Sequence, residues 1–230
     1  MLLQGTVKNA INNIALVPKV IVTNLRTNKI TIIQGAADGS YTAPMAKGDT
    51  YDVSITAWDN GFSFQSALFK LEQLEKYEEK FIDVKLQPFK AGLLIPLNNV
   101  SFVNNTDTLT TYSSGELNRI VTLLKSNITS VVEIGVHSDR ADVDSVQQKG
   151  FTRTIVDTLG TYTDSTGREL PKLKYTYSND NTQAQAKAIS NYLIKKGIPV
   201  ERTIPKGLGN SIPASSPASN RRIELKVVRE

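Results

Sequence analysis

The sequence predicts an α+β protein in two parts, a β-sandwich over residues 1–88 followed by a βαβαββ domain over residues 92–230 with a hairpin insertion at about 140–180. Three observations carry this. The first part is a series of short β-branched runs bounded by turn residues. The second part alternates apolar strands with amphipathic helical stripes, the signature of helices layered on a sheet. Between them, Leu86-Gln87-Pro88-Phe89-Lys90-Ala91-Gly92 is punctuated by Pro88 and Gly92 and reads as a short linker.

In the first part, Lys19-Val20-Ile21-Val22-Thr23-Asn24 is a β-branched run closed by turn residues, and Lys29 to Ile33 resumes it. Asp38-Gly39-Ser40-Tyr41 is a tight-turn signal that enters another strand. Tyr51 to Ile55 alternates apolar and polar residues, the period of a half-buried strand, and Phe81 to Leu86 ends in the same alternation. Residues 66–80 fit two readings, because Leu68, Leu71, Leu74 and Tyr77 also make a helical stripe. Several short strands at regular spacing argue for a small sandwich.

In the second part, Leu93 to Leu97 is an apolar strand. Ser113 and Glu116 have the spacing of a capping box. Behind them Leu117, Ile120, Val121 and Leu124 form one helical face, which Asn127 suits as a terminus. Val131 to Val136 is a buried strand. Thr182 and Gln185 repeat the capping-box spacing before Ala186, Ile189, Tyr192 and Leu193, and Gly197 ends that helix as a left-handed residue. Arg222 to Val228 is the last strand. In the insertion, Thr152–Thr163 and Arg168–Tyr177 flank Asp164-Ser165-Thr166-Gly167, a hairpin with a four-residue turn.

Composition narrows the function classes. The 230 residues are 40% hydrophobic and 21% charged, ordinary for a globular chain and too apolar for a disordered one. The net charge of +5 is spread out, with no dense Lys/Arg run, so nucleic acid is not an expected partner. A modest positive balance suits generic solubility and equally a place beside an anionic polymer such as a cell wall. With no cysteine, disulfides, Cys-zinc sites and thiol catalysis are excluded. No run approaches the roughly 18 apolar residues of a membrane-spanning helix. Met1-Leu2-Leu3-Gln4-Gly5 lacks the charged and apolar regions of a signal peptide, so either the protein is cytoplasmic or its signal or lipid anchor is expected outside this chain.

Gly5-Thr6-Val7, the Val20-to-Asn24 strand, Asp38-Gly39-Ser40-Tyr41 and Gly48-Asp49-Thr50-Tyr51-Asp52-Val53 together resemble a carboxypeptidase-regulatory-like or Cna-B-like module over about the first 88 residues. That resemblance implies a non-catalytic spacer or interaction domain. The second part resembles the OmpA-like C-terminal domain family. The matching segments, in order, are Asn99-Val100-Ser101-Phe102, the Ser113-to-Ser126 helix, Val136-His137-Ser138-Asp139, Gln185 to Leu193, Gly197-Ile198, Gly207 to Pro213 and Asn220-Arg221-Arg222-Ile223-Glu224.

The OmpA-like resemblance implies binding without catalysis or cofactor. Its ligand would be the diaminopimelate residue of peptidoglycan stem peptides, and its location the periplasm, in association with the outer membrane. Asp139 falls on the family's Asp, which meets the ligand's ammonium group. The family's Arg, which grips a carboxylate with a bidentate fork, falls on Gln185. A neutral amide in its place forfeits about 1.5–3 kcal/mol, or roughly one to two decades of affinity. Three readings follow: Lys187 or an insertion residue supplies the cation, the stem peptide lacks that carboxylate charge, or wall binding has been lost and only the scaffold kept. Asn220, Arg221 and Arg222 are further ligand candidates, and strand alternation turns one of the two arginines to the groove and the other to solvent. The backbone amides opening the Thr182 helix also favour an anion. The insertion hairpin is expected beside the groove, first as a decoration of the fold and otherwise to lid the site, replace its contacts or, like the sandwich, dock envelope proteins. The alternative function is therefore a structural scaffold of an envelope complex.

Other features carry less. His137, the single histidine, lies near Asp139, Asp142 and Asp144, but the implied role of the family's equivalent is structural. The three aspartates lack the glycine and closing glutamate of a calcium loop, so no metal is expected. Gly207-Leu208-Gly209 is too short for a nucleotide loop and reads as a turn before the last strand. Glu72, Glu75, Glu78 and Glu79 read as a solvated face. The nucleophile elbow, the His-Glu-x-x-His zinc-binding helix and the P-loop are missing, and no enzyme activity is expected.

Overall fold

The structure is a computed structural model that describes residues 1–71, 76–103, 106–138, 143–144, 153–178, 180–212 and 221–230. Its sheets are mixed and its two long helices lie in the second half, so the fold is α+β.

The first half packs two sheets face to face. In one, β1 (Leu2–Asn9) lies between β4 (Ser40–Pro44), antiparallel, and the short parallel strands β7 (Glu79–Phe81) and β8 (Val84–Leu86). In the other, the order is β3 (Ile30–Gln34), β2 (Pro18–Asn24), β5 (Thr50–Ala57), β6 (Phe64–Lys70), all antiparallel. Strand alternation turns Leu3, Val7, Val20, Val22, Ala43, Val53, Ile55 and Leu86 into a shared core. Gly39 takes the left-handed conformation that the Asp38–Tyr41 turn requires, at φ +88°.

Two ambiguities resolve here. Residues 64–70 form a strand, with Phe69 buried and Leu68 exposed as alternation demands, and Leu74 of the helical stripe lies outside the described residues. The Phe81–Leu86 run is two strands. The Asp83 carboxylate accepts the Thr6 backbone amide and hydroxyl, each at 2.8 Å, and so takes a donor from the ladder.

In the second half, β9 (Leu94–Pro96), α1 (Ser113–Ser126), β10 (Val131–His137), α2 (Thr182–Lys195), β14 (Thr203–Gly209) and β15 (Ile223–Arg229) follow the expected βαβαββ order. The sheet runs β14, β10, β15, β9, with β10 parallel to β14 and the other pairs antiparallel. The stripes Leu117, Ile120, Leu124 and Ala186, Ile189, Leu193 pack on Val132, Ile134, Leu225 and Val227. Gly197 closes α2 at φ +91°. Between β10 and α2 lies the insertion: β11 (Val143–Asp144), β12 (Arg153–Thr163) and β13 (Glu169–Ser178), with β13 paired to both others and the Asp164–Gly167 turn at the tip.

Neither capping box forms. The Ser113 hydroxyl donates to the Ser101 carbonyl at 2.9 Å and accepts the Ser101 amide at 3.0 Å, tying α1 to the preceding loop. The Thr182 hydroxyl donates to Asp180 Oδ2 at 2.9 Å and accepts the Gly209 amide at 3.2 Å. Gly207-Leu208-Gly209 ends strand β14 rather than forming a separate turn, and a Cβ on Gly207 would lie 2.2 Å from the Gln183 nitrogen. Glycine is required there because α2 crosses the strand at backbone distance.

The Leu86–Gly92 segment is packed. Phe89 is buried in the second core, its amide bonds the Gly61 carbonyl, and the Gly92 amide bonds the Val227 carbonyl. Phe64 of the sandwich joins the same core. Helix α1 lies over β5, so that Asp52 and Ser54, on the outer face of that strand, are buried. Among the described residues no helix is long and apolar enough to cross a membrane.

Candidate functional site

Where the loop after β9, the end of β10, the start of α2 and the entry to β15 converge, they enclose a cleft of about 440 Å³. Its walls come from four of the family-like segments, those around Val100–Phe102, Val136–Ser138, Gln185 and Arg221–Glu224. Asn98, Ser101 and Phe102 line one side, His137 and Ser138 the floor, Asp180, Asn181, Thr182 and Gln185 a second side, and Arg221, Arg222 and Glu224 a third.

The anticipated ligand residues divide. Gln185, Arg221 and Arg222 are brought together in the cleft. Asp139 and Asn220 lie outside the described residues. Both arginines line the cleft, contrary to the alternation argument, because β15 begins only at Ile223 and the two residues precede its pleat. Lys187, weighed as a substitute cation, is exposed and does not line the cleft.

Local bonding constrains each wall. The Gln185 side-chain amide donates to the Thr106 carbonyl at 2.9 Å, which pins α2 to the loop after Phe102. Arg222 Nε donates to Glu224 Oε1 at 2.6 Å, and both terminal nitrogens reach the Ile212 carbonyl at 3.3 Å. Asp180, one residue before the N-cap Asn181, accepts the Thr182 amide on its Oδ1 at 2.9 Å. The first amide at that helix end is therefore already occupied by a carboxylate, which weakens the case for anion binding at the helix terminus.

His137 sits at the end of β10 with its side chain 2% exposed. Its Nε2 stands 3.2 Å from Glu224 Oε2, an ion-pair distance, but neither ring nitrogen completes an aligned hydrogen bond. Burial, and next the nearby Arg222 charge, push its pKa below the ordinary histidine value against the opposing pull of Glu224. The ring is therefore held neutral near pH 7, a polar floor with hydrogen-bonding capacity in hand.

Asp180, Asn181 and Glu224 were not singled out by the sequence as site residues. Asp180 had a signal: an Asp two residues before a helix-opening Thr is a turn-and-cap pattern. Its position in the cleft follows from the hairpin, whose strand β13 ends at Ser178 and delivers the chain directly into this wall. Among the described residues no group of three His, Cys, Asp or Glu side chains could hold a metal ion. The cleft thus presents guanidinium and carboxylate groups around a neutral imidazole and several hydroxyls, an arrangement able to hold a small zwitterionic or amide-rich ligand.

No protein-family model matches the chain, and comparison with curated proteins finds no match. Solved structures show partial likeness. A MotB-like protein from Desulfovibrio vulgaris is 19% identical with a TM-score of 0.36, covering 60% of this chain and 72% of that one. The OmpA-like domain of FopA1 from Francisella tularensis is 16% identical with a TM-score of 0.34, covering 60% and 83%. A carbohydrate-binding protein from Bacteroides uniformis is 16% identical with a TM-score of 0.28, covering 45% and 48%.

Proposed function

We propose that this chain is a non-enzymatic cell-envelope protein whose second half, about residues 92–230, attaches an assembly non-covalently to peptidoglycan by recognising a stem peptide. The observation that carries the reading is the composition of one cleft: Arg221 and Arg222 line it together with Asp180 and Glu224. A diaminopimelate head bears an ammonium and a carboxylate on one carbon, and a site for it needs both signs of charge within one small volume. The order of family-like motifs along the sequence supports the same reading, with Asp139 as a further partner for the ammonium group. The sandwich, about residues 1–88, and the insertion hairpin are the surfaces for envelope partners, and the working location is the periplasm beside the outer membrane.

Calorimetry with a diaminopimelate-containing muropeptide tests this. Saturable binding to the wild type, weakened at least ten-fold in Asp139→Ala and in Arg221→Ala, is the expected result. No heat up to millimolar muropeptide overturns it.

A second reading has its own observation. The Gln185 amide is committed to the Thr106 carbonyl, and the Arg222 guanidinium to Glu224 and the Ile212 carbonyl. Groups already satisfied within the protein favour a scaffold that keeps the fold without wall affinity. A null muropeptide titration, with the partners of the sandwich still captured, is the outcome that selects it.

A further inference from the structure

The open half of the β3-β2-β5-β6 sheet carries a second recognition feature, remote from the cleft. Pairing of Lys19 with Gln34, Ile21 with Ile32 and Thr23 with Ile30 fixes the register of β2 on β3. The Gly35 amide bonds the Pro18 carbonyl and the Asn24 amide bonds the Lys29 carbonyl. In an antiparallel ladder such bonded pairs alternate with unbonded ones. Ile30, Ile32 and Gln34 are therefore the unbonded members, and their N–H and C=O groups point away from β2. Among the described residues no strand pairs with β3 on that side.

The side chains of this edge are equally uncovered. Ile30 is 61% exposed and Ile32 57% exposed, both on the outer face of the sheet. The same face continues through Ile21 and Lys19 to Trp58, 47% exposed, whose ring lies 5.6 Å below the Lys19 ammonium. On β5 this face is roofed by α1, over β2 it is half-buried, and over β3 it is open.

Edge strands are ordinarily protected by proline or charge. Here β4, β9 and β14 contain Pro44, Pro96 and Pro205, β6 ends in Lys70, and β7 carries Glu79 and Lys80. Strand β3, Ile-Thr-Ile-Ile-Gln, has neither. The chain's first acidic residue is Asp38, and before it stand Lys8, Lys19, Arg26 and Lys29. Arg26 is paired with Asp49, which leaves Lys19 and Lys29 flanking the open strip.

We infer that β3 is a strand-addition site for an extended segment of a partner protein in which apolar and acidic side chains alternate. The partner's backbone would bond the outward groups of Ile30, Ile32 and Gln34, its apolar side chains would cover Ile30 and Ile32, and its carboxylates would meet Lys29 and a Lys19 side chain swung from Trp58 toward the edge. A second copy of this chain is a poorer occupant, because two copies would bring the same basic strip together.

The probes are two decapeptides, one alternating valine with glutamate and one alternating valine with lysine, titrated into the full chain with amide exchange followed by NMR. The inference expects the acidic peptide to slow exchange at Ile32 and Gln34 and to bind at least ten-fold tighter than the basic one. It expects Ile32→Glu, an exposed change that leaves the ladder to β2 intact, to lose that binding. Ile32→Pro, which deletes an outward N–H, should lose it too, and the glutamate variant decides if the proline variant fails to fold. Equal binding of both peptides, binding unaffected by Ile32→Glu, protection elsewhere, or no binding overturns it. Self-association of the wild type that Ile32→Glu abolishes also overturns it, by making a second copy the occupant.

Discussion

Arg119 of α1 reaches across the junction between the two halves and pairs with Asp52 of β5, with both side chains almost wholly buried, at 11% and 4% exposure. The same guanidinium holds Glu116 at 3.0 Å, and Asn99 donates its amide to the other Asp52 oxygen at 3.1 Å. The junction is thus a polar cluster sealed between a sheet face and a helix. Removing one member of such a pair strands a charge in a low-dielectric site, at a cost of about 3–5 kcal/mol. Arg119→Ala should therefore lower the unfolding free energy in urea by that amount. A paired replacement, Asp52→Leu with Arg119→Met, should recover most of it. A loss under about 1 kcal/mol in the single variant would mean that the cluster is solvated and does not join the halves.

Glu116 gives the junction a pH dependence of defined sign. Burial raises its pKa, and the opposing pulls of Ser66 and Arg119 do not cancel that. Its Oε1 and the neighbouring Ser66 Oγ are both buried without an aligned hydrogen bond. The folded state thus favours the protonated acid more than the unfolded state does. That contribution to stability is fully present below the unfolded pKa, and is lost as pH rises through the raised folded value. Glu116→Gln supplies a permanently neutral isostere. Its melting temperature should exceed that of the wild type at pH 7, and the gap should close toward pH 4. A variant less stable than wild type at pH 7 would show that the charged pair with Arg119 outweighs burial.

These junction residues also mark where sequence reasoning stops. The alternation of Tyr51 to Ile55 made β5 legible and assigned Asp52 and Ser54 to a solvent face. They are buried because a helix more than sixty residues later lies over them, and no local pattern encodes that contact. The same limit explains the capping boxes: Ser113 and Thr182 have the right spacing, but tertiary partners at Ser101 and Gly209 claim their hydroxyls. In the cleft, Gln185, Arg221 and Arg222 were legible as motif positions. Asp180 was not, since its place depends on where a long hairpin returns the chain.

Arg202 is a further residue whose role only the fold reveals. It is buried and donates to the carbonyls of Leu124 at 2.8 Å, Asn127 at 2.6 Å and Ser130 at 2.8 Å. Two of these acceptors lie at the C-terminal end of α1, where unsatisfied carbonyls and the helix dipole favour a cation. Burial lowers its pKa, yet a guanidinium stays charged there. Arg202→Ala should cost about 3 kcal/mol, the scale of losing charge-assisted bonds to buried carbonyls. Arg202→Lys should recover less than half, because an ammonium cannot match three acceptors set for a planar fork. Equal stability of the lysine and arginine forms in thermal melts would show that charge, not geometry, holds the helix end.

His137 offers the most direct reading of the cleft, because it is the chain's single histidine and contributes one titrating imidazole resonance. Its pKa is depressed, first by burial and then by Arg222. For a base the sign is the reverse of the Glu116 case. The folded state prefers the neutral ring, so this contribution to stability is present above the unfolded value near 6.5 and is lost as pH falls through the folded pKa. The resonance should therefore titrate below pH 6.5. The wild type should lose stability over that acidic interval relative to His137→Gln, a neutral replacement. Arg222→Gln should move the titration upward, since it removes a repelling charge and frees Glu224 to face the ring. A resonance that titrates above 6.5 would instead mean that Glu224 dominates, and the floor of the cleft would then be cationic at neutral pH and suited to a carboxylate.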